Sequence, residues 1–337
     1  MVERFNRSDA THGPAGGRAL HGYREDTASW RREFLSMEYA LTLDTVTKRF
    51  GTVLAVDGIS LRIPRGTIYG FLGPNGAGKT TTIRMIMSIL YPDSGTIEVL
   101  GSRDPEAVKD KMGYLPEEKG LYKKMTTRDI VAYFGKLKGM SGTAARRRAA
   151  ELLASFGLGE WVDRKCEALS KGMGQKVQIL STIIHDPDLV ILDEPFSGLD
   201  PVNVELVRDV ILEMKRQGRT VIFSTHVMEQ AEQICDYVLL INRGEKVLDG
   251  TLADVRAAGD KGIVIDYDGD GAVFHRLRGI ASVSNAGKRA ELFLSDGVDP
   301  QDILAQLVGK VRIRRFDMRE PSLHEVFIRT VKGEANA

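Results

Sequence analysis

Gly73-Pro74-Asn75-Gly76-Ala77-Gly78-Lys79-Thr80 sets two glycines either side of a short polar loop and follows them at once with a lysine and a hydroxyl. Glycines at this spacing let successive backbone N–H groups turn inward around a polyphosphate, and a helix opening at the lysine adds partial positive charge. Lys79 is then expected to reach the β- and γ-phosphates and the Thr80 hydroxyl to ligate Mg²⁺. Pro74, Asn75, Gly76, Ala77 and Thr81 complete the expected phosphate-contacting set. Further along, Asp193 and Glu194 end the aliphatic run Leu189-Val190-Ile191-Leu192. A buried strand tolerates two charges only where they emerge at its C-terminal edge, which is where parallel sheets bind ligands. Asp193 is expected to hold Mg²⁺ through water, and Glu194 to orient and polarise an attacking water. His226 follows the apolar Val221-Ile222-Phe223 and the small Ser224-Thr225, and so reaches the same edge. It is expected to sense the γ-phosphate and hold the water.

These residues need a scaffold, and the pattern from Tyr39 to Thr251 supplies one by alternating strands and helices. Strands are expected over Tyr39–Val46, Thr67–Leu72, Thr96–Gly101, Leu189–Leu192, Val221–Phe223 and Tyr237–Ile241. The run Leu189–Leu192 has no polar alternation, as in a parallel strand covered on both faces. A helix is expected over Thr80–Leu90. Thr126 and Asp129 fit a capping box that opens a helix with Ile130, Val131, Phe134 and Leu137 on one face. Another helix is expected over Thr143–Phe156, so residues from about 120 to 175 read as a helical insertion. After Thr251 the order becomes β-α-β-β-α-β: strands Gly262–Tyr267, Ile280–Ser284, Ala290–Ser295 and Val311–Asp317, with helices Ala272–Leu277, Gln301–Leu307 and Ser322–Val331. That order predicts a small α+β, ferredoxin-like domain. The expected divisions are a disordered leader 1–37, an α/β domain 38–252, an accessory domain 253–332 and a tail 333–337. Met37, just before the first patterned strand, is read as a candidate natural start.

The bulk properties exclude several classes. At 337 residues the chain suits one large domain and a smaller one. It carries 47 basic and 46 acidic residues, a net charge of +1, which argues against broad electrostatic attachment to nucleic acid or an anionic membrane. The two cysteines, Cys166 and Cys235, fit no metal spacing and suit a reducing compartment, the cytoplasm. No apolar run approaches the ~18 residues that would span a bilayer. Ser29-Trp30-Arg31-Arg32-Glu33-Phe34-Leu35 has a twin arginine, but Glu38, Asp44, Lys48 and Arg49 break the apolar core that an export signal needs. Asp266-Tyr267-Asp268-Gly269-Asp270-Gly271 copies half of a calcium loop. Its twelfth position is Leu277 instead of a bidentate glutamate, so a polar turn is expected.

In order and in type, these residues resemble the ATP-binding cassette ATPases over about residues 40 to 252. Gly73 to Thr80 resembles the family's phosphate loop and Leu189 to Glu194 its Mg²⁺ and water strand. Ser197-Gly198-Leu199-Asp200 resembles the loop coupling two sites, His226 the switch histidine, and Phe50 the aromatic that stacks on adenine. Leu169-Ser170-Lys171-Gly172-Met173 resembles the signature Leu-Ser-Gly-Gly-Gln. It precedes a helix expected from Gln175 to Ile184, so Ser170 and Gly172 form a second anion site. The resemblance implies a P-loop NTPase cassette with an inserted helical subdomain, binding ATP and Mg²⁺. It also implies that two cassettes, as a homodimer or with a different cassette, pack head to tail with each Ser170 and Gly172 on the partner's nucleotide.

Three departures from the family pattern stand out. Lys171 and Met173 replace Gly and Gln, and Glu117 stands where a Gln usually contacts Mg²⁺ and water. Glu118 competes for that role, and a carboxylate there either strengthens the metal contact or repels the γ-phosphate. These variants and the tail Arg319-Glu320-Pro321-Ser322-Leu323-His324-Glu325-Val326-Phe327 resemble the subunits of sodium-extrusion and drug-exporter-like transporters. That branch implies an integral membrane permease as partner, touching the cassette near Gly120-Leu121-Tyr122, and a peripheral place on the cytoplasmic face of the cell membrane. The alternatives are a cassette ATPase acting on ribosomes or DNA, and a regulatory module without hydrolysis. A single cassette with no heptad stretch or basic tract argues against the first, with no nucleic acid expected as partner; Asp193, Glu194 and His226 argue against the second.

Overall fold

A computed structural model describes residues 38–117, 120–259, 261–295 and 297–334. The leader, the start at Met37, Glu118 and the last three residues of the tail lie outside the described residues. In chain order, β1 (Tyr39–Phe50) and β2 (Val53–Pro64) form a hairpin, and β3 (Ile68–Leu72) feeds helix α1 (Lys79–Ile86). After β4 (Ser94–Val99) and β5 (Met112–Leu115) come α2 (Thr127–Leu137), α3 (Gly142–Ser155) and α4 (Lys171–Ile183). The chain continues through β6 (Leu189–Leu192), α5 (Pro201–Arg216), β7 (Thr220–Thr225), α6 (Met228–Ile234), β8 (Tyr237–Asn242), β9 (Glu245–Thr251) and α7 (Leu252–Ala257). The last section holds β10 (Gly262–Asp268), β11 (Ile280–Asn285), β12 (Arg289–Leu294), α8 (Pro300–Leu307), β13 (Arg312–Arg319) and α9 (Leu323–Glu334).

The central sheet has strand order β5-β6-β7-β3-β8-β9. Its pairings are parallel except for β9, which returns antiparallel on β8. The aliphatic run at β6 is explained by what covers it. Val190 and Leu192 pack with Val177, Ile183 and Ile211 of the helices, while Leu189 and Ile191 pack with Leu41, Leu43 and Ile63 of a second sheet. That second sheet is antiparallel, of order β2-β1-β4. A strand buried on both faces has no solvent side to mark with polar residues. The parallel pairing also lines up the ends: Leu72 lies opposite Thr225, and Leu115 opposite Leu192. The residues that follow β3, β5, β6 and β7 therefore emerge along one edge.

Several elements differ from the sequence expectation. Strand β2 was not anticipated, although Ile59, Leu61 and Ile63 alternate with exposed or half-buried neighbours as period two requires. Strand β5 is only four residues long, too short to show a period. Strand β1 runs past Val46 to Phe50 because a left-handed Thr45 (φ 52°) makes an irregularity that the pairing survives. Helix α1 stops at Ile86, where Ser88 turns left-handed and the N–H groups of Ile89 and Leu90 return to the Arg84 carbonyl. The Thr126 cap forms as expected, accepting from the Asp129 N–H at 3.1 Å. Helix α4 begins at Lys171, four residues before the expected Gln175, because Ser170 caps it by accepting from the Met173 N–H at 3.3 Å.

The C-terminal strands form a sheet of order β11-β12-β10-β13, antiparallel throughout, the order of a ferredoxin-like unit. The helix expected over Ala272–Leu277 is a 3-10 turn, Gly271–Arg276, because Asp270 caps it by accepting from the Ala272 N–H at 2.9 Å. The calcium-like acidic run is thus a strand end and a turn. Asp266 and Asp268 lie on β10, and Asp268 accepts from Arg314 Nε at 2.7 Å.

Helix α9 leaves this sheet and packs on the central unit. Leu323 and Val326 are buried in the cluster that holds Ala231, Ile234 and Val255, and the Leu323 N–H donates to the Glu232 carboxylate of α6. Leu323→Ala is therefore expected to destabilise the central unit by about 2–5 kcal/mol, a cavity cost read from denaturant or thermal unfolding. A loss confined to the C-terminal sheet would contradict this placement.

Candidate functional site

Strand β3 ends in the glycine loop because its backbone must pass very close to β8. A Cβ on Gly73 would lie 2.1 Å from the Ile241 carbonyl oxygen, so no other residue fits there. At the far end of the loop, α1 opens after Gly78 with no side-chain cap and no acidic residue in its first turn. Its first N–H groups are left for an anion. Lys79 is buried, and its Nζ donates to the carbonyls of Gly73 at 2.7 Å and Pro74 at 3.2 Å. The same Nζ lies 3.7 Å from Glu194 Oε1. Burial pushes the Lys79 pKa down, and the carboxylates of Glu194 and Asp193 oppose that shift by favouring the ammonium.

The ends of β6 and β7 meet the loop. Asp193 is fully buried. Its Oδ1 accepts from Ser224 Oγ at 2.5 Å and faces Thr80 Oγ1 at 3.3 Å. Its Oδ2 is buried with no hydrogen-bond partner among the described residues. A buried carboxylate oxygen left bare costs free energy unless something fills the position, and a hard divalent cation suits it. Glu194 adopts φ 48°, a left-handed conformation uncommon for a non-glycine residue, and its N–H donates to Ser224 Oγ at 2.9 Å. Both Glu194 carboxylate oxygens lie 3.1 Å from His226 Nδ1. An ionised carboxylate only accepts, so Nδ1 carries the hydrogen and donates.

Ser224 ties Asp193 to Glu194, a role the sequence reading passed over. The available signal was a hydroxyl at the end of a strand whose other residues pack as core; Ser224 is fully buried. A cleft of about 500 Å³ runs over this constellation, lined by Asn75, Gly76, Ala77, Gly78, Lys79, Thr80 and Thr81 together with Glu117 and Glu194. Val53, Leu54, Ala55 and Arg243 also line it. None of these four was singled out from sequence, because each is brought there by a turn, the β1–β2 hairpin or the β8–β9 connection. Phe50 is not among the lining residues. It ends β1 half-exposed, opposite Val53, with Lys48 Nζ 5.6 Å from its ring.

Ser170, Gly172 and Asp200 form a second group, away from the lining of that cleft. Asp200 caps α5, accepting from Asn203 N–H at 3.0 Å and Nδ2 at 2.6 Å. These two bonds hold the Asp200 carboxyl below the ordinary carboxylate range. Gly172 presses on the same asparagine, since a Cβ there would sit 1.7 Å from Asn203 Oδ1. The first turns of α4 and α5 are thereby locked together.

The ABC transporter family matches residues 56–197, and the family described as "ATP-binding protein DrrA1-3-like, C-terminal domain" matches residues 250–331. The ABC transporter ATP-binding protein YhaQ of Bacillus subtilis (strain 168) is 42% identical over 292 residues, covering 86% of this chain and 98% of the relative. This chain belongs to the family of ABC transporter ATP-binding proteins. The linearmycin resistance ATP-binding protein LnrL of the same organism is 32% identical over 302 residues, covering 86% of this chain and 97% of LnrL. Among solved structures, an ATP-binding subunit of an ABC transporter superposes with a TM-score of 0.58 at 31% identity, covering 65% of this chain and 92% of that one. Members of the family bind ATP, and the glycine loop with its buried lysine is the cleft's counterpart to that ligand.

Proposed function

We propose that this chain is the ATP-hydrolysing subunit of an exporter, which closes as a pair of cassettes on ATP and drives a separate membrane permease. The observation that carries the reading is the Glu194 carboxylate held between Lys79 and His226 at the mouth of the glycine-loop cleft. Lys79 and the α1 N-terminus hold the triphosphate through charge-assisted hydrogen bonds. Glu194 orients a water and takes its proton as the water oxygen bonds to the γ-phosphorus and the bond to the β–γ bridging oxygen breaks. His226 fixes the Glu194 carboxylate through Nδ1 and turns Nε2 toward the γ-phosphate. Mg²⁺, when bound, neutralises charge on the β- and γ-phosphates. Thr80, Asp193 and Glu117 are the residues that would hold it, and the bare Asp193 Oδ2 supports this. Ser170 and Gly172 complete the site on a second copy's nucleotide, and Asp200 links the two sites. Closure then assembles both centres and hydrolysis releases them.

Outward transport is supported by the resistance function in the name of LnrL and by the DrrA-like C-terminal match. No helix among the described residues is long and apolar enough to cross a membrane, so the pore falls to another chain. An apolar groove of about 320 Å³ between β5, α2 and α4, lined by Leu115, Leu121, Phe134 and Leu137, suits a short helix of that permease. Tyr122 and Leu137 stand exposed, by 60% and 64%. Purification from mild detergent is expected to bring down an integral membrane protein. Recovery of ribosomes or DNA with no membrane protein would favour the non-transport reading and overturn this one.

A further inference from the structure

The β8–β9 hairpin closes on two residues, Arg243 and Gly244, with Asn242 paired to Glu245. Both adopt positive φ, 50° and 87°, as a type I′ turn requires. Asparagine, aspartate or glycine suits the first of these positions, whereas the Cβ of an arginine is crowded there. Arginine occupies it all the same, on a turn fixed to the phosphate loop. The Gly244 N–H donates to the Ala77 carbonyl at 2.9 Å, and the Gly244 carbonyl accepts from the Asp57 N–H at 2.9 Å. A Cβ on Gly78 would lie 3.5 Å from Gly244 Cα, and one on Gly244 would lie 3.0 Å from the Ala55 carbonyl oxygen. Arg243 therefore lines the cleft from beside Leu54, Ala55 and the second half of the glycine loop. It makes no hydrogen bond or ion pair among the described residues. The other cation in the lining, Lys79, is held by the Gly73 and Pro74 carbonyls and lies beside Glu194. From there it serves the β- and γ-phosphates, which leaves the α-phosphate without a side-chain cation.

We infer that the Arg243 guanidinium binds the α-phosphate oxygens of the nucleotide in its own cleft, at the end away from Glu194. The inference rests on the reading of this cleft as an ATP site. A planar fork of N–H donors matches two oxygens of one phosphate, which the point charge of a lysine does not. The α-phosphate is common to ATP and ADP and is untouched when the γ-phosphoryl group leaves. Arg243 therefore contributes equally to both nucleotides, and it holds ADP in the cleft after hydrolysis.

The test titrates the full chain calorimetrically with ADP and with a non-hydrolysable ATP analogue, each with Mg²⁺. Arg243→Asn removes the guanidinium and places a residue that the turn prefers. It is expected to weaken both nucleotides about tenfold and by the same factor, the effect of losing a charge-assisted hydrogen bond. Thermal unfolding of the nucleotide-free variant is expected at or above the temperature of the parent, an outcome that a purely structural arginine would not give. Arg243→Lys keeps the charge and is expected to bind both nucleotides within about threefold of the parent. An Arg243→Asn chain that binds both nucleotides as the parent does overturns the inference. A loss confined to the ATP analogue moves the guanidinium to the γ-phosphate and also overturns it. A loss of affinity shared by Arg243→Lys and matched by lower thermal stability assigns the arginine to the turn alone, with the same result. A parent that binds neither nucleotide overturns the ATP-site reading and this inference with it.

Discussion

A Glu194→Gln chain is expected to bind ATP as the parent does and to hydrolyse it at least about a hundredfold more slowly. The amide keeps the shape of the carboxylate but cannot take a proton from water. It also removes a negative charge from the mouth of a cleft that must admit a polyphosphate. Lys79, 3.7 Å from Glu194 Oε1, is then freed from its carboxylate neighbour and serves the nucleotide alone. The slow variant therefore accumulates as an ATP-bound pair. Phosphate release measures the turnover and gel filtration with ATP measures the pair. Turnover near that of the parent would remove Glu194 from its role, whatever the nucleotide affinity.

Lys79→Ala is expected to have the other large effect, at the binding step. The Lys79 ammonium bridges the carbonyls of Gly73 and Pro74 and lies beside Glu194. Truncation removes a buried cation from the phosphate loop and leaves the Glu194 carboxylate facing the triphosphate without it. A charge-assisted hydrogen bond is worth about 1.5–3 kcal/mol, so ATP affinity is expected to fall roughly 10- to 100-fold, with hydrolysis falling at least as far. Calorimetric titration separates this from Glu194→Gln, which keeps its affinity. Equal ATP affinity in parent and Lys79→Ala would show that the loop backbone alone holds the phosphates.

Much of the centre was legible because its chemistry imposes residue types at short range. The phosphate loop needs glycine where Gly73 passes Ile241, and a lysine and a hydroxyl directly after it. Asp193 and Glu194 announce themselves as charges ending an apolar run. His226 was legible because Val221–Phe223 is as apolar as β6 and Phe223 pairs with Leu192 at the end of β6. The residues that were missed share a different property. Ser224 makes no motif, and its meaning lies in two partners just past the end of β6, 30 and 31 positions away. Val53 and Arg243 reach the cleft only because turns in two different sheets fold over the glycine loop. The start of α4 was placed late because Gly172 and Gly174 are poor helix formers, and the Gly172 contact with Asn203 outweighs that propensity.

By itself, then, the sequence determined the kind of fold, the nucleotide chemistry and the identities of the groups on the phosphate edge. Those depend on periodicity and on local motifs, which the chain carries without reference to distant partners. Only the tertiary structure decided which oxygen of Asp193 is left bare and that His226 donates to Glu194. It alone decided that α9 packs on the central unit, and that Gly172 presses on Asn203. These are relations between residues far apart in the chain, settled when the parallel sheet brings its strand ends to one level and the helices pack around it.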